Sequence, residues 1–203
     1  LDMAYFPKRS TFLPVPVEVA WRQRTRAVEF IHNAGYVGLR GRNGTKELIA
    51  AMKLTNSPAR LVLRCQERLA DQDERAAMSN HKINYLPGTI PLADVWATGD
   101  VCVAPEKFNG LSLPLQEARA SGMLVMTTNR FPANTWLPQE PCIPVSGYQK
   151  ASIGGGYLEF DEAQVRPEDI AKTIDAWYGV DMDDYSLSGK RWAEEMSWDV
   201  LGS

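Results

Sequence analysis

The residues best suited to chemistry lie between Asp100 and Gly122, in the run Asp-Val-Cys-Val-Ala-Pro-Glu-Lys-Phe-Asn-Gly-Leu-Ser-Leu-Pro-Leu-Gln-Glu-Ala-Arg-Ala-Ser-Gly. Val101 to Ala104 reads as a buried strand, and a helix is expected from about Leu113, with Ser112 as its N-cap and Gly122 as its stop. A strand that turns through Asn109 and Gly110 into a helix gathers free backbone N–H groups at the positive end of the helix dipole. Such a place suits a phosphate. Asn109 ahead of the helix and Glu117 within it add polar groups on either side, one suited to a sugar and one to a ribose.

A second turn, from Gly35 through Arg40, Arg42 and Gly44 to Lys46, precedes another expected helix. Its glycines permit close backbone approach, and its arginines offer bidentate phosphate contacts. Neither the Walker pattern nor G-x-G-x-x-G spacing is present. Alone, such a turn reads as a surface loop; beside the Asn109 loop, it reads as the second wall of a phosphate cradle. Arg64 ends an apolar strand and reads equally as a snorkelling side chain or a phosphate contact. His32 is expected to be structural rather than catalytic, and Glu106 to be a surface charge. Asp181-Met-Asp183-Asp184 has a cation-like spacing but precedes a helix, where capping is the expected role. No His, Cys or carboxylate group has transition-metal spacing, so no metal site is expected.

These residues need a scaffold that brings them together. Apolar strands are expected at Val28 to Asn33, Arg60 to Arg64, Ile83 to Leu86, Val101 to Ala104 and Met123 to Thr127. Helices are expected between them at Thr45 to Met52, Glu67 to Met78, Pro91 to Ala97 and Leu113 to Ser121. This alternation implies α/β architecture: a Rossmann-like parallel sheet with helices on both faces, its ligand at the carboxyl ends of the strands. A short helix is expected at Glu18 to Arg26 and a strand at Cys142 to Val145. Ser146 to Gly156 reads as loop, Pro167 opens a helix that Gly179 stops, and a last helix runs from Asp184 to Trp198 with Trp192 and Met196 inward.

The chain has 203 residues, 44% apolar content and a net charge of −3, which fits one generous domain with no general pull toward nucleic acid. No apolar run is long enough to span a bilayer. Three widely spaced cysteines suggest neither a disulfide framework nor a thiolate metal site, and a cytoplasmic setting is the default. Cys102 is expected to be a buried thiol. The chain opens at Leu1 without a visible leader, which suggests a piece of something longer.

Asp100 to Gly122 resembles the signature of group 1 (retaining) nucleotide-sugar glycosyltransferases of the GT-B fold. Pro105, Gly110, Leu113, Pro114, Leu115, Glu117, Ala118 and Gly122 fall into register with it. Asn43-Gly44 with Leu48, Ile49 and Ala51 is similar to the family's basic residue, glycine and first helix, and Leu1 to Pro7 to its interdomain link. The resemblance implies the C-terminal, donor-binding half: residues 1–25 as linker, 26–180 as the sugar-nucleotide domain and 181–203 as a C-terminal helix. It implies Glu117 on the donor ribose and Asn109 on the transferred sugar as the catalytic pair. Gly110, Leu111, Ser112 and Leu113 would meet the diphosphate; Gly35, Arg40, Arg42 and Arg64 would flank it; and Leu86 would lie by the base.

Two departures stand out. Asn109 replaces the first acidic residue of a glutamate pair, and Tyr36 and Asn43 stand where Arg and Lys are usual, leaving Arg40 and Arg42 as substitutes. The implied donor is a nucleoside diphosphate sugar with no other cofactor. An N-terminal acceptor-binding domain is implied as the missing partner, and any membrane association would belong to that half. The alternatives are a non-catalytic sugar-nucleotide module and a sugar-nucleotide epimerase of related fold.

Overall fold

The structure is a computed structural model that describes residues 15–35, 41–137, 141–153 and 158–201. Arg40, the opening segment similar to an interdomain link and the glycine triplet lie outside them. Five parallel strands form the central sheet: β1 (Glu29–Gly35), β2 (Arg60–Cys65), β3 (Ile83–Pro87), β4 (Val101–Ala104) and β5 (Leu124–Thr127). Their order is β3-β2-β1-β4-β5, so the direction of winding reverses between β1 and β4. Loops leaving neighbouring strands there go to opposite faces and open a crevice.

Helices α1 (Thr45–Ala51), α2 (Asp71–Met78) and α3 (Leu113–Ala120) follow β1, β2 and β4. Alternate strand residues point to opposite faces, which divides the core. Phe30, Leu61, Leu63, Val101, Val103 and Met126 pack with Leu48 of α1 and Met52 just after it on one side. Ile31, Cys102 and Val125 pack with Leu115, Ala118 and Trp96 on the other. Cys102 is buried as expected, and burial pushes its thiol up to about 12.

Helix α4 (Pro167–Trp177) closes the first layer through Ile170 and Ile174, with proline and two acidic residues in its first turn. Gly179 follows it with φ 79°. Helix α5 (Asp183–Glu195) packs on α3 so closely that a Cβ on Gly189 would lie 2.3 Å from the Arg119 carbonyl oxygen. Asp181 accepts from the Asp183 amide at 2.9 Å, Asp183 and Asp184 lie in the first turn, and the N-cap position itself is Met182, which has no side-chain cap.

Several expectations need correction. No helix forms at Glu18 to Arg26, because the amides there are drawn into tertiary bonds: Arg22 N–H to the Ser121 carbonyl at 3.0 Å and Arg24 N–H to the Ser186 hydroxyl at 3.1 Å. Helix α2 starts four residues later than Glu67, since the Leu69 amide is taken by the Tyr85 hydroxyl at 3.2 Å. The helix expected at Pro91 to Ala97 is a 3₁₀ turn, Leu92–Asp94. Only Ile143 of the expected strand at Cys142 to Val145 pairs, bridging to Thr128.

The loop expected after it contains a strand, β6 (Gly147–Ile153), paired antiparallel with β7 (Leu158–Gln164). This hairpin is fastened to the loop after β4 by Ala163 N–H to the Lys107 carbonyl at 2.8 Å and by Phe160 against Phe108, 4.4 Å between ring centroids. The last expected helix breaks at Met196, and a short α6 (Trp198–Leu201) follows. Trp192 is half-buried, stacked on Trp136 at 5.7 Å with the Arg119 guanidinium over its ring. No described helix is long and apolar enough to cross a membrane.

Candidate functional site

Two neighbouring cavities open at the carboxyl edge of the sheet, where the winding reverses. The larger, about 550 Å³, is lined by His32 to Gly35 of β1, Arg42 and Asn43 before α1, and Glu106, Asn109 and Leu111 to Leu115 after β4. The smaller, about 190 Å³, is lined by Gly35, Arg64, Gln66, Gly88, Ile90, Trp96, Pro114 and Glu117 among others. Asn33, Gly35, Gln66, Trp96 and Pro114 border both, so the two read as one cleft.

The sequence-derived residues therefore converge. Arg42, Asn109, Leu111, Ser112 and Leu113 share the larger cavity, Arg64 and Glu117 the smaller, and Gly35 both. Gly110 is exposed beside them, and Leu86 stands in register with Arg64 at the rim; neither lines a cavity. The two loops expected to form a cradle are fastened together, the Lys107 amide donating to the Arg42 carbonyl at 2.7 Å. Gly44, at φ 66°, lies directly on Pro105.

The hydrogen-bond donors at the turn after β4 come from backbone. Among the described residues, nothing accepts a hydrogen bond from the amides of Asn109, Gly110, Leu111, Ser112 or Leu113. The first intrahelical bond of α3 is Leu115 N–H to the Ser112 carbonyl at 3.0 Å. Ser112 occupies the N-cap, but its hydroxyl does not cap the helix. It donates instead to both Glu106 oxygens at 3.0 Å, and its backbone is left-handed at φ 49°. That conformation costs a non-glycine residue about 1–2 kcal/mol; the serine hydroxyl's bonds to a buried carboxylate offset it.

Glu106 is the main correction to the sequence reading. It is 6% exposed, not a surface charge. Asn109 Nδ2 donates to it at 2.9 Å, and Arg130 Nη2 lies 3.5 Å from its Oε2. Arg130, equally buried, also donates to the backbone carbonyls of Glu106 (3.2 Å), Asn109 (3.1 Å) and Phe131 (2.8 Å). Burial pushes the Glu106 carboxyl up, while Asn109, the Arg130 charge, Ser112 and Arg42 draw it back. This knot shapes the turn between β4 and α3. The only sequence signal for it is a glutamate with hydrogen-bonding residues three and six positions on; Arg130 is too distant to be paired by eye.

Glu117 accepts from the Trp96 indole N–H at 3.0 Å through Oε2, and no donor among the described residues meets Oε1. Arg64 donates to the Val95 carbonyl at 2.9 Å and the Thr98 hydroxyl at 2.7 Å, so two of its N–H groups are committed to the scaffold. Asn33 borders both cavities, and its buried Oδ1 has no hydrogen-bond partner among the described residues. Among those residues no group of three or more His, Cys, Asp or Glu side chains is gathered as a metal ion would require.

His32 is structural, as expected. It is buried, with Nδ1 2.6 Å from the Val103 carbonyl oxygen and Nε2 2.9 Å from the Thr45 hydroxyl. A carbonyl can only accept, so Nδ1 carries the proton and Nε2 accepts from Thr45. Burial lowers its pKa to about 4. Between pH 6.5 and 4 the unfolded chain takes up a proton that the folded chain refuses, so this stability is lost as pH falls. Wild-type protein is expected to lose about 2 kcal/mol through His32 between pH 7 and 4.5, and His32→Asn to show a shallower slope in urea titrations at the two pH values.

No model of a protein family matches the chain, and no curated protein matches it. Solved structures do. A glycosyltransferase from Rickettsia africae ESF-5 aligns with 86% of this chain and 45% of its own at TM-score 0.56 and 13% identity. The GtfA/B complex aligns with 93% of this chain and 36% of its own at TM-score 0.64 and 16% identity. Alr3699/HepE of Anabaena, solved with UDP and glucose, aligns with 85% of this chain and 46% of its own at TM-score 0.57 and 12% identity. The chain spans less than half the length of these three. What the likeness establishes is the fold: a Rossmann-like α/β sheet of the kind these glycosyltransferases contain.

Proposed function

We propose that this chain is the donor-binding domain of a retaining group 1 glycosyltransferase of the GT-B fold, taking a nucleoside diphosphate sugar. The observation that carries the reading is the row of amides from Asn109 to Leu113, unpaired among the described residues, beside Arg42 at the winding reversal of a parallel sheet. Backbone N–H groups at a helix start and a guanidinium are the donors a diphosphate needs. Alr3699/HepE of Anabaena, solved with UDP and glucose, points the same way.

In this reading the diphosphate lies along the Asn109–Leu113 turn, the sugar reaches Asn109, and the ribose meets Glu117. The base extends toward Gly88 and Ile90. As the bond from anomeric carbon to diphosphate breaks, the leaving oxygens gain charge. Amides and a guanidinium on the wall of the larger cavity would meet that charge with donors in place of water, which stabilises the transition state. The chemistry asks nothing of a metal or a second cofactor. Residues 26–180 form the donor domain, residues 1–25 lead from an N-terminal acceptor-binding domain, and residues 181–203 are a C-terminal helical segment. The acceptor-binding partner supplies what transfer requires, in a cytoplasmic setting.

A thermal-shift panel of UDP-, GDP- and ADP-sugars tests donor binding, and stabilisation by none of them overturns the reading. With the best donor, Glu117→Ala is expected to weaken binding by about 1–3 kcal/mol in calorimetry, the loss of charge-assisted hydrogen bonds. Unchanged affinity would remove Glu117 from the site. Asn109 in place of an acidic residue favours a second reading, a non-catalytic sugar-nucleotide module. Donor hydrolysis or transfer by the full-length gene product excludes it.

A further inference from the structure

The Asn109 side chain is not free to choose which end it shows to the cavity. A carboxamide has a donor end and an acceptor end of nearly the same shape, and its surroundings decide which faces where. Here Nδ2 meets Glu106 Oε1 at 2.9 Å. The same carboxylate receives the Ser112 hydroxyl at 3.0 Å and lies 3.5 Å from Arg130 Nη2, a group with no lone pair to offer. Three donors aimed at one buried carboxylate hold it as an acceptor. Turning Asn109 over would set its oxygen against that carboxylate, two acceptors at bonding distance with little water to separate them.

We propose that Glu106 is a positioning residue: it holds the Asn109 nitrogen inward, so that Oδ1 faces the larger cavity and the site reads a hydroxyl donated by the sugar. This rests on the nucleotide-sugar reading above and deepens it. The substrate class it selects is a nucleoside diphosphate sugar with a free hydroxyl opposite Asn109. Fluorine in place of that hydroxyl keeps the size but cannot donate.

The test uses the full chain, the best donor of the panel, its plain nucleoside diphosphate, and conjugates with each sugar hydroxyl replaced in turn by fluorine. Wild-type protein should bind one fluorinated conjugate about tenfold more weakly than its parent. Asn109→Ala should remove that discrimination, bringing the ratio between each fluorinated conjugate and its parent to about one. Glu106→Gln, which can turn either end of its own amide toward Asn109, should cut the discrimination to about threefold or less.

A folded Glu106→Gln that keeps the full discrimination overturns the positioning role. So does a wild type indifferent to every fluorinated conjugate. Should Glu106→Gln not fold, the wild-type Asn109 side-chain amide decides, its NMR signals assigned by their loss in Asn109→Ala. Slowed hydrogen exchange supports the bond to Glu106, and free exchange of both protons overturns it. If no nucleoside diphosphate binds wild-type protein, the donor-site reading itself falls, a result visible before any sugar is compared.

Discussion

Gly44→Ala should lower stability by about 3–5 kcal/mol and abolish the thermal shift given by any nucleotide sugar. The added Cβ would lie 2.2 Å from the Pro105 carbonyl oxygen and 2.8 Å from that proline's ring, and neither is the end of a flexible side chain. The backbone is also left-handed there, at φ 66°, which alanine resists by about 1–2 kcal/mol. The glycine carbonyl accepts the first bond of α1, from Leu48 at 2.9 Å, so relief by moving the loop would unwind the helix start. Equilibrium urea unfolding measures the loss. A wild-type midpoint would mean that the two loops can part at little cost, and a cradle built from both would not survive that.

Arg24→Met should cost a similar amount, about 3–5 kcal/mol. Arg24 is 2% exposed and touches no carboxylate among the described residues; its guanidinium donates to four backbone carbonyls, those of Arg22, Trp96, Gly99 and Ser121. Burial pulls its pKa down to about 10, which leaves it charged at neutral pH. Methionine fills much of the volume but donates nothing, and the buried carbonyls lose their partner together. Arg24→Lys should recover only a fraction, because one ammonium cannot span four acceptors. The measurement is again urea unfolding, and a Met variant as stable as wild type would show that water replaces the guanidinium.

The parallel sheet was legible because its strands are short apolar runs bounded by turn residues, Val101 to Ala104 before Pro105 being the clearest. Its switch point follows from strand order, which no local pattern encodes. The β6–β7 hairpin was not legible. Gly147, Lys150, Glu159 and Asp161 give it a polar, weakly strand-forming composition. It is held by cross-strand pairs such as Lys150–Asp161 at 2.9 Å and by its tie to Lys107, both products of the fold.

The same reasoning explains the site. Motif register placed Asn109 to Glu117 because those residues are contiguous. Glu106 was misjudged because glutamate is rarely buried without partners, and its partners include Arg130, twenty-four positions on. Extended residues near Arg24 were read as helix because the pull of distant carbonyls outweighs local propensity.

Ser112 and Glu106 constrain each other's substitution. Glycine at 112 would relax the backbone but withdraw a donor from a buried charge; an apolar residue at 106 would remove that charge but strand a strained serine and leave the buried Arg130 without its counter-charge. Each single exchange trades one defect for another, so the pair can change without penalty only in concert, and Arg130 with it.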